Sequence, residues 1–117
     1  MLGHIRREAA EIFREALLEM LPGEAVKRSL SGARLKEKII LVGIGKAAWT
    51  MAKAASEELG ERVVSGVIVT KYGHSGGPVA GIEIFEAGHP LPDLNTLKAT
   101  EKILEITREA GVDQNIL

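Results

Sequence analysis

Residues 39–55 read IILVGIGKAAWTMAKAA, and no other stretch constrains the fold as much. Ile39 to Val42 is an unbroken apolar run, the pattern of a strand buried on both faces of a parallel sheet. A Gly43-Ile44-Gly45-Lys46 turn follows. From Lys46 to Leu59 the residues Met51, Ala52, Ala55 and Leu59 recur at helical spacing, and Gly60 stands where a helix cap is expected. Gly66 to Lys71 (GVIVTK) is then a second strand of β-branched residues. Strand, glycine turn, helix and strand in this order predict a right-handed βαβ unit in an α/β domain.

The flanking segments extend that pattern. Residues 3–21 place Ile5, Ala9, Ile12, Phe13, Ala16, Leu17 and Met20 on one face of a helix that ends at Pro22-Gly23, with charges covering the other face. A shorter helical piece runs through Leu30 towards Gly32. Ile82 to Phe85 is a third strand, either a hairpin partner of the second or a strand reached by a long loop. From about Asn95 to Ala110 there is a last helix, with Leu97, Ile103, Leu104 and Thr107 turned inward and Asp93 or Asn95 as its N-cap. The closing VDQNIL has the look of a linker entering another strand. The fold class expected is α/β: an incomplete Rossmann-like domain, with a short, mainly parallel sheet flanked by helices.

Composition removes several function classes. Fifteen basic and 16 acidic residues give a net charge of -1, without the basic excess a nucleic-acid surface needs. There is no cysteine, hence no disulfide framework and no cysteine metal site. The N-terminus is charged and amphipathic, unlike a signal peptide, and the apolar runs are far shorter than a membrane span. A soluble cytoplasmic protein with no membrane partner is the expectation. At 3% aromatics, the core must rest on Ile, Leu, Val and Ala.

The turn at Gly43–Lys46 has the physical features of an anion site. Glycine lets the backbone bend sharply and approach a ligand closely. A helix N-terminus offers unpaired N–H groups, and Lys46 adds a full positive charge beside them. A Walker A loop is ruled out, because Ile40 and Ala47 occupy the places where Gly and Ser or Thr belong. Gly43, Gly45 and Ala48 satisfy the dinucleotide pattern G-x-G-x-x-G/A, but the second strand ends in Thr70-Lys71 without the acid that pattern expects. The alternative without a ligand is that the glycines only turn strand into helix, with Lys46 solvated. Two further loops, KYGHSGGP (71–78) and EAGHPLPD (86–93), follow the second and third strands. If all strands are parallel, Lys46, His74 with Ser75, and His89 emerge at one carboxyl edge, where open α/β sheets bind ligands. No histidine shows metal-ligand spacing, so no protein-bound metal is expected from these residues.

The blocks VGIGKAAWTMAKAA, GVIVTKYGHSGGP and IEIFEAGHPLPDLNTLKATEKIL, in that order and spacing, resemble the N-terminal part of the glycerate 2-kinases, the family with a MOFRL-type C-terminal domain. The resemblance covers nearly the whole chain. It implies a phosphotransferase that moves the γ-phosphoryl group of ATP, with Mg2+, onto the 2-hydroxyl of D-glycerate, in a cleft between two domains. It makes Lys46 an expected catalytic residue. Gly43, Gly45, Lys46, Ala47, His74, Ser75 and His89 are then the expected substrate- and phosphate-binding set. Members are also labelled hydroxypyruvate reductase, a dinucleotide-dependent activity that the weak G-x-G turn would suit.

Family members continue past a region like VDQNIL into a strand, a Ser-Gly-Gly-Gly-Ser type loop and the C-terminal domain. Residues 1–117 therefore correspond to the N-terminal part of a glycerate-kinase-type domain, truncated before the glycine-rich loop. The active-site arginine and the metal-binding acids would lie outside this chain, and the chain is expected to be inactive alone. The alternative from another class is a non-catalytic module that forms a homo-oligomer through a bare sheet edge.

Overall fold

The computed structural model describes residues 1–117. Four strands form one sheet, all parallel, in the order β3-β2-β1-β4: β1 is Lys38–Ile44, β2 Val63–Lys71, β3 Ile82–Ala87 and β4 Gln114–Ile116. The apolar run thus becomes an inner strand, as its unbroken hydrophobicity requires. This order is that of the first four strands of a doubly wound sheet, and it reverses direction between β1 and β4. The third strand is the long-loop alternative rather than a hairpin partner: residues 72–81 carry the chain back so that β3 runs parallel to β2. VDQNIL does enter a strand, the short β4 against β1. A Lys38–Asp113 ion pair of 2.7 Å and a 2.7 Å bond from the Lys36 amide to Asn115 Oδ1 pin it there.

Alternation along the strands sorts the core into two layers. Ile39 and Leu41 of β1 and Ile68 of β2 meet Ala48, Ala52, Ala55 and Leu59 of α3 (Ala48–Leu59). The alanines let the helix lie close to the sheet, which is how a core forms with so few aromatics. Ile40 and Val67 point to the other face, where α4 (Leu94–Arg108) packs over β2 and β3 with Ala99 fully buried. Leu97 and Leu104, expected to face inward, are 56% and 45% exposed. The small Ala99 occupies the contact line instead, so the leucines flank it.

The N-terminal helix forms as its periodicity predicts, as α1 (Leu2–Glu19), and α2 (Pro22–Ser31) follows and packs on α3. No residue of α1 is buried, and Ile12 and Phe13 remain 68% and 66% exposed. The helix projects from the sheet layers, and the radius of gyration is 17.5 Å, against about 13 Å for a compact chain of this length. The accessible surface is 8106 Å², where a compact monomer of this mass exposes roughly 6,200 Å². The apolar face of α1 is real, but within these residues it stays largely exposed. No helix is long and apolar enough to cross a membrane.

Candidate functional site at the carboxyl edge of the sheet

The register places the candidate turns side by side. Ile44 of β1 pairs with Val69 of β2, and Val69 pairs with Phe85 of β3. The chain therefore leaves all three strands at one edge, on neighbouring strands roughly 4.8 Å apart. Lys46 and Ala47 follow β1, His74 and Ser75 follow β2, and His89 follows β3, before a cis peptide to Pro90. The site residues expected from the sequence thus share one edge. His4 does not: it sits on α1 beside Glu8 at 3.5 Å.

At the first turn the glycines do different work. A Cβ on Gly43 would lie 2.8 Å from Ile68 Cγ2 and 3.4 Å from Ala48 Cβ, so this glycine permits close packing of β1 against β2 and α3. Gly45 has φ +118° and open space where a Cβ would point, so it is there for backbone conformation. Its amide donates to Val69 O at 3.0 Å and is not free for a ligand.

The free donors lie one step further on. The amides of Lys46, Ala47, Trp49 and Thr50 have no acceptor within the protein, as expected for the first turn of a helix with no side-chain cap. Lys46 is exposed, and its ammonium forms no ion pair or hydrogen bond. Its carbonyl accepts from the buried Thr70 hydroxyl at 3.4 Å, which ties the turn to the end of β2. A free cation and free amides at a helix N-terminus, beside the β1/β4 reversal, can receive a carboxylate or phosphate.

The second and third loops are stitched to their neighbours. Trp49 of α3 donates from Nε1 to Gly77 O at 2.8 Å, and its ring lies where a Cβ on Gly76 would be. Glu86, near the end of β3, accepts on one oxygen, Oε1, from the amides of Gly73 at 3.0 Å and Ser75 at 3.2 Å. Tyr72 donates its hydroxyl to Asp93 Oδ2 at 2.6 Å and accepts from Asn95 Nδ2 at 2.9 Å.

Asp93 is also the N-cap of α4. Its Oδ1 takes the amides of Asn95 and Thr96, and Thr96 Oγ1 accepts from the Asp93 amide, completing a capping box. Trp49, Tyr72, Glu86 and Asp93 are organisers that sequence reading missed as part of the site. Asp93 was legible only as a helix cap. The partners of the others lie 11 to 28 residues away in the chain, and no local pattern reports them.

The Tyr72 hydroxyl, together with the amide of Thr96, holds the Asp93 carboxyl at about 2, below its ordinary 3.8, while the same bond raises the Tyr72 phenol. Because the carboxyl is depressed in the folded state, its stabilising effect is complete above pH 3.8 and fades as pH falls towards 2. Amide signals of Asn95 and Thr96 followed by NMR should therefore move with a midpoint near 2. A midpoint at the ordinary carboxylate value would mean that the Tyr72–Asp93 bond does not hold in solution.

Known proteins place this arrangement in context. The chain is 46% identical over 113 residues to the D-glycerate 2-kinase of Thermotoga maritima, an alignment that spans 97% of this chain and 27% of that protein. The crystal structure of a glycerate kinase from Thermotoga maritima superposes with a TM-score of 0.91 at 45% identity, over 97% of this chain and 27% of that one. A protein of Agrobacterium vitis named as a hydroxypyruvate reductase is 37% identical over 112 residues, which is 96% of this chain and 25% of that protein. The chain thus spans about a quarter of the length of the curated relatives it matches. Residues 8–117 match the family described as Domain of unknown function (DUF4147), and the chain belongs to that family.

Proposed function

We propose that this chain supplies the anion-binding half of a glycerate 2-kinase site, with Lys46 as its central residue. The observation that carries the reading is the free Lys46 ammonium beside unpaired helix amides, at the carboxyl edge of a parallel sheet. Its support is the 46% identity to a protein named D-glycerate 2-kinase. In the reaction, the 2-hydroxyl oxygen of D-glycerate attacks the γ-phosphorus of ATP. The bond to the β–γ bridging oxygen breaks, ADP leaves, and the hydroxyl proton passes to a base at the edge, for which His89 and His74 are the candidates.

Phosphoryl transfer of this kind depends on positioning and on stabilising spread negative charge. Lys46, with the amides of Lys46 and Ala47, would hold the glycerate carboxylate or the transferring phosphate. Gly43 and Gly45 shape the turn, and Ser75 lies beside His74. No group of three or more His, Cys, Asp or Glu side chains is placed to hold a metal. These residues therefore do not fit a Mg2+ site, and this chain is proposed to supply none of its ligands. The isolated chain is accordingly proposed to bind without turning over, in the cytoplasm.

The test is an NMR titration with D-glycerate and then MgATP, following the amides of residues 43–48, 72–76 and 87–90. Saturable shifts at these loops support the reading, and silence from both ligands overturns it for this chain.

Two other readings have an observation each. A dinucleotide-dependent hydroxypyruvate reductase is favoured by the name of one relative and by the G-x-G turn. Against it, β2 ends in Thr70-Lys71, the threonine buried and bonded to Lys46 O, with no acid for a ribose. A self-associating module is favoured by the free outer edge of β3 and the bare face of α1. It predicts oligomers by size-exclusion chromatography with light scattering, and a clean monomer would rule it out.

A further inference from the structure

The loop that carries His74 is held unusually well for an exposed segment. Glu86 Oε1 takes the amides of Gly73 and Ser75, the two neighbours of His74, and so brackets its Cα from both sides. The His74 amide itself turns back to Lys71 O at 3.0 Å. Tyr72 is fastened to Asp93 and Asn95, and Gly77 to Trp49. Among these anchored residues the His74 side chain is exposed and has no hydrogen-bond partner. A loop that needed only to cross between strands would not require an anchor on each side of one solvated imidazole.

We propose that Glu86 is a positioning residue that presents His74 to a carboxylate- or phosphate-bearing ligand at the carboxyl edge. The inference deepens the glycerate reading and rests on it for the choice of ligand. Glu86 acts through the backbone that it fixes on either side of His74. A carboxylate suits the task because a single charged oxygen can take two amide donors at once, and such bonds are stronger than neutral ones.

The test compares Glu86→Ala, Glu86→Gln, His74→Ala and the Glu86→Ala/His74→Ala double variant of the whole chain, by amide hydrogen exchange and by D-glycerate titration. Glu86→Ala should speed exchange at Gly73 and Ser75 by about tenfold and weaken D-glycerate binding by about tenfold, the effect of losing one charge-assisted anchor. Exchange at Ile68 and Val69 in β2 should not change. Glu86→Gln keeps an oxygen acceptor in place without the charge and should restore part of both properties, a rescue that bulk alone would not require. His74→Ala should weaken binding equally with exchange at Gly73 and Ser75 unchanged, and the double variant should lose no more than either single one.

Unchanged exchange at Gly73 and Ser75 in Glu86→Ala would overturn the anchor. Faster exchange with binding untouched in both single variants would overturn the role of His74. In the wild-type chain, shifts at Lys46 and Ala47 without any at His74 would sink this inference and spare the glycerate reading. Silence at both places would sink the two together.

Discussion

Lys46→Ala is expected to leave the fold intact and to weaken D-glycerate binding by about ten- to a hundredfold, the loss of one charge-assisted contact of roughly 1.5–3 kcal/mol. In a completed kinase site the same change should cost about 10²–10³ in turnover, the size seen when one preorganised charge-stabilising group is removed. The fold should survive because the Lys46 side chain is solvated and bonded to nothing. Only its carbonyl takes part in the structure, through Thr70, and alanine keeps that carbonyl. Isothermal titration with D-glycerate, beside a thermal melt, separates the two effects. An unchanged affinity would remove Lys46 from the site, and a lowered melting midpoint would assign it a structural role instead.

The largest effect on stability should come from Ile68→Ala. Ile68 has no accessible surface and stands between Gly43 on β1 and Ile84 on β3, beneath α3. Truncation there should cost about 2–5 kcal/mol, the transfer of the lost carbons plus the cavity left behind. Only 14 of 117 residues are buried in this chain, so its total stability should fall at the low end of the roughly 5–15 kcal/mol usual for a domain. Ile68→Ala should therefore remove a large share of that stability, which a lowered midpoint in urea unfolding would show.

A coupled change checks the packing argument. Gly43→Ala alone brings a Cβ to 2.8 Å from Ile68 Cγ2, and overpacking of this kind should cost about 1–3 kcal/mol. In the Gly43→Ala/Ile68→Ala pair that clash disappears, so the combined loss should be smaller than the sum of the two. Strict additivity would show that Gly43 is not held to glycine by Ile68.

How much of this could be read from the chain varies with the range of the interaction. Local signals were reliable. The apolar run at Ile39–Val42, the turn into α3, the Gly60 end of that helix, the Asp93 cap and the strand hidden in VDQNIL all appear where short-range pattern puts them. Each depends on residues within a few positions of one another, and so leaves a pattern in composition and spacing. The candidate site was legible to the same extent. Lys46, His74 and His89 stand after successive strands, and strand register does the rest.

Long-range contact decided what remained. Whether β3 would pair as a hairpin or as a parallel strand depended on the path of residues 72–81, and both choices suit IEIF equally. The distinct tasks of Gly43 and Gly45 depend on Ile68 and Val69, across the sheet. The amphipathic pattern of α1 foretells a helix with an apolar face, but periodicity says nothing of what covers that face, and here none of its residues is buried. The bracing of the His74 loop by Glu86, Tyr72, Asp93 and Trp49 joins residues that only the folded sheet brings within hydrogen-bonding distance. The local sequence names the chemistry at each strand end, and packing sets which of those ends are held rigid.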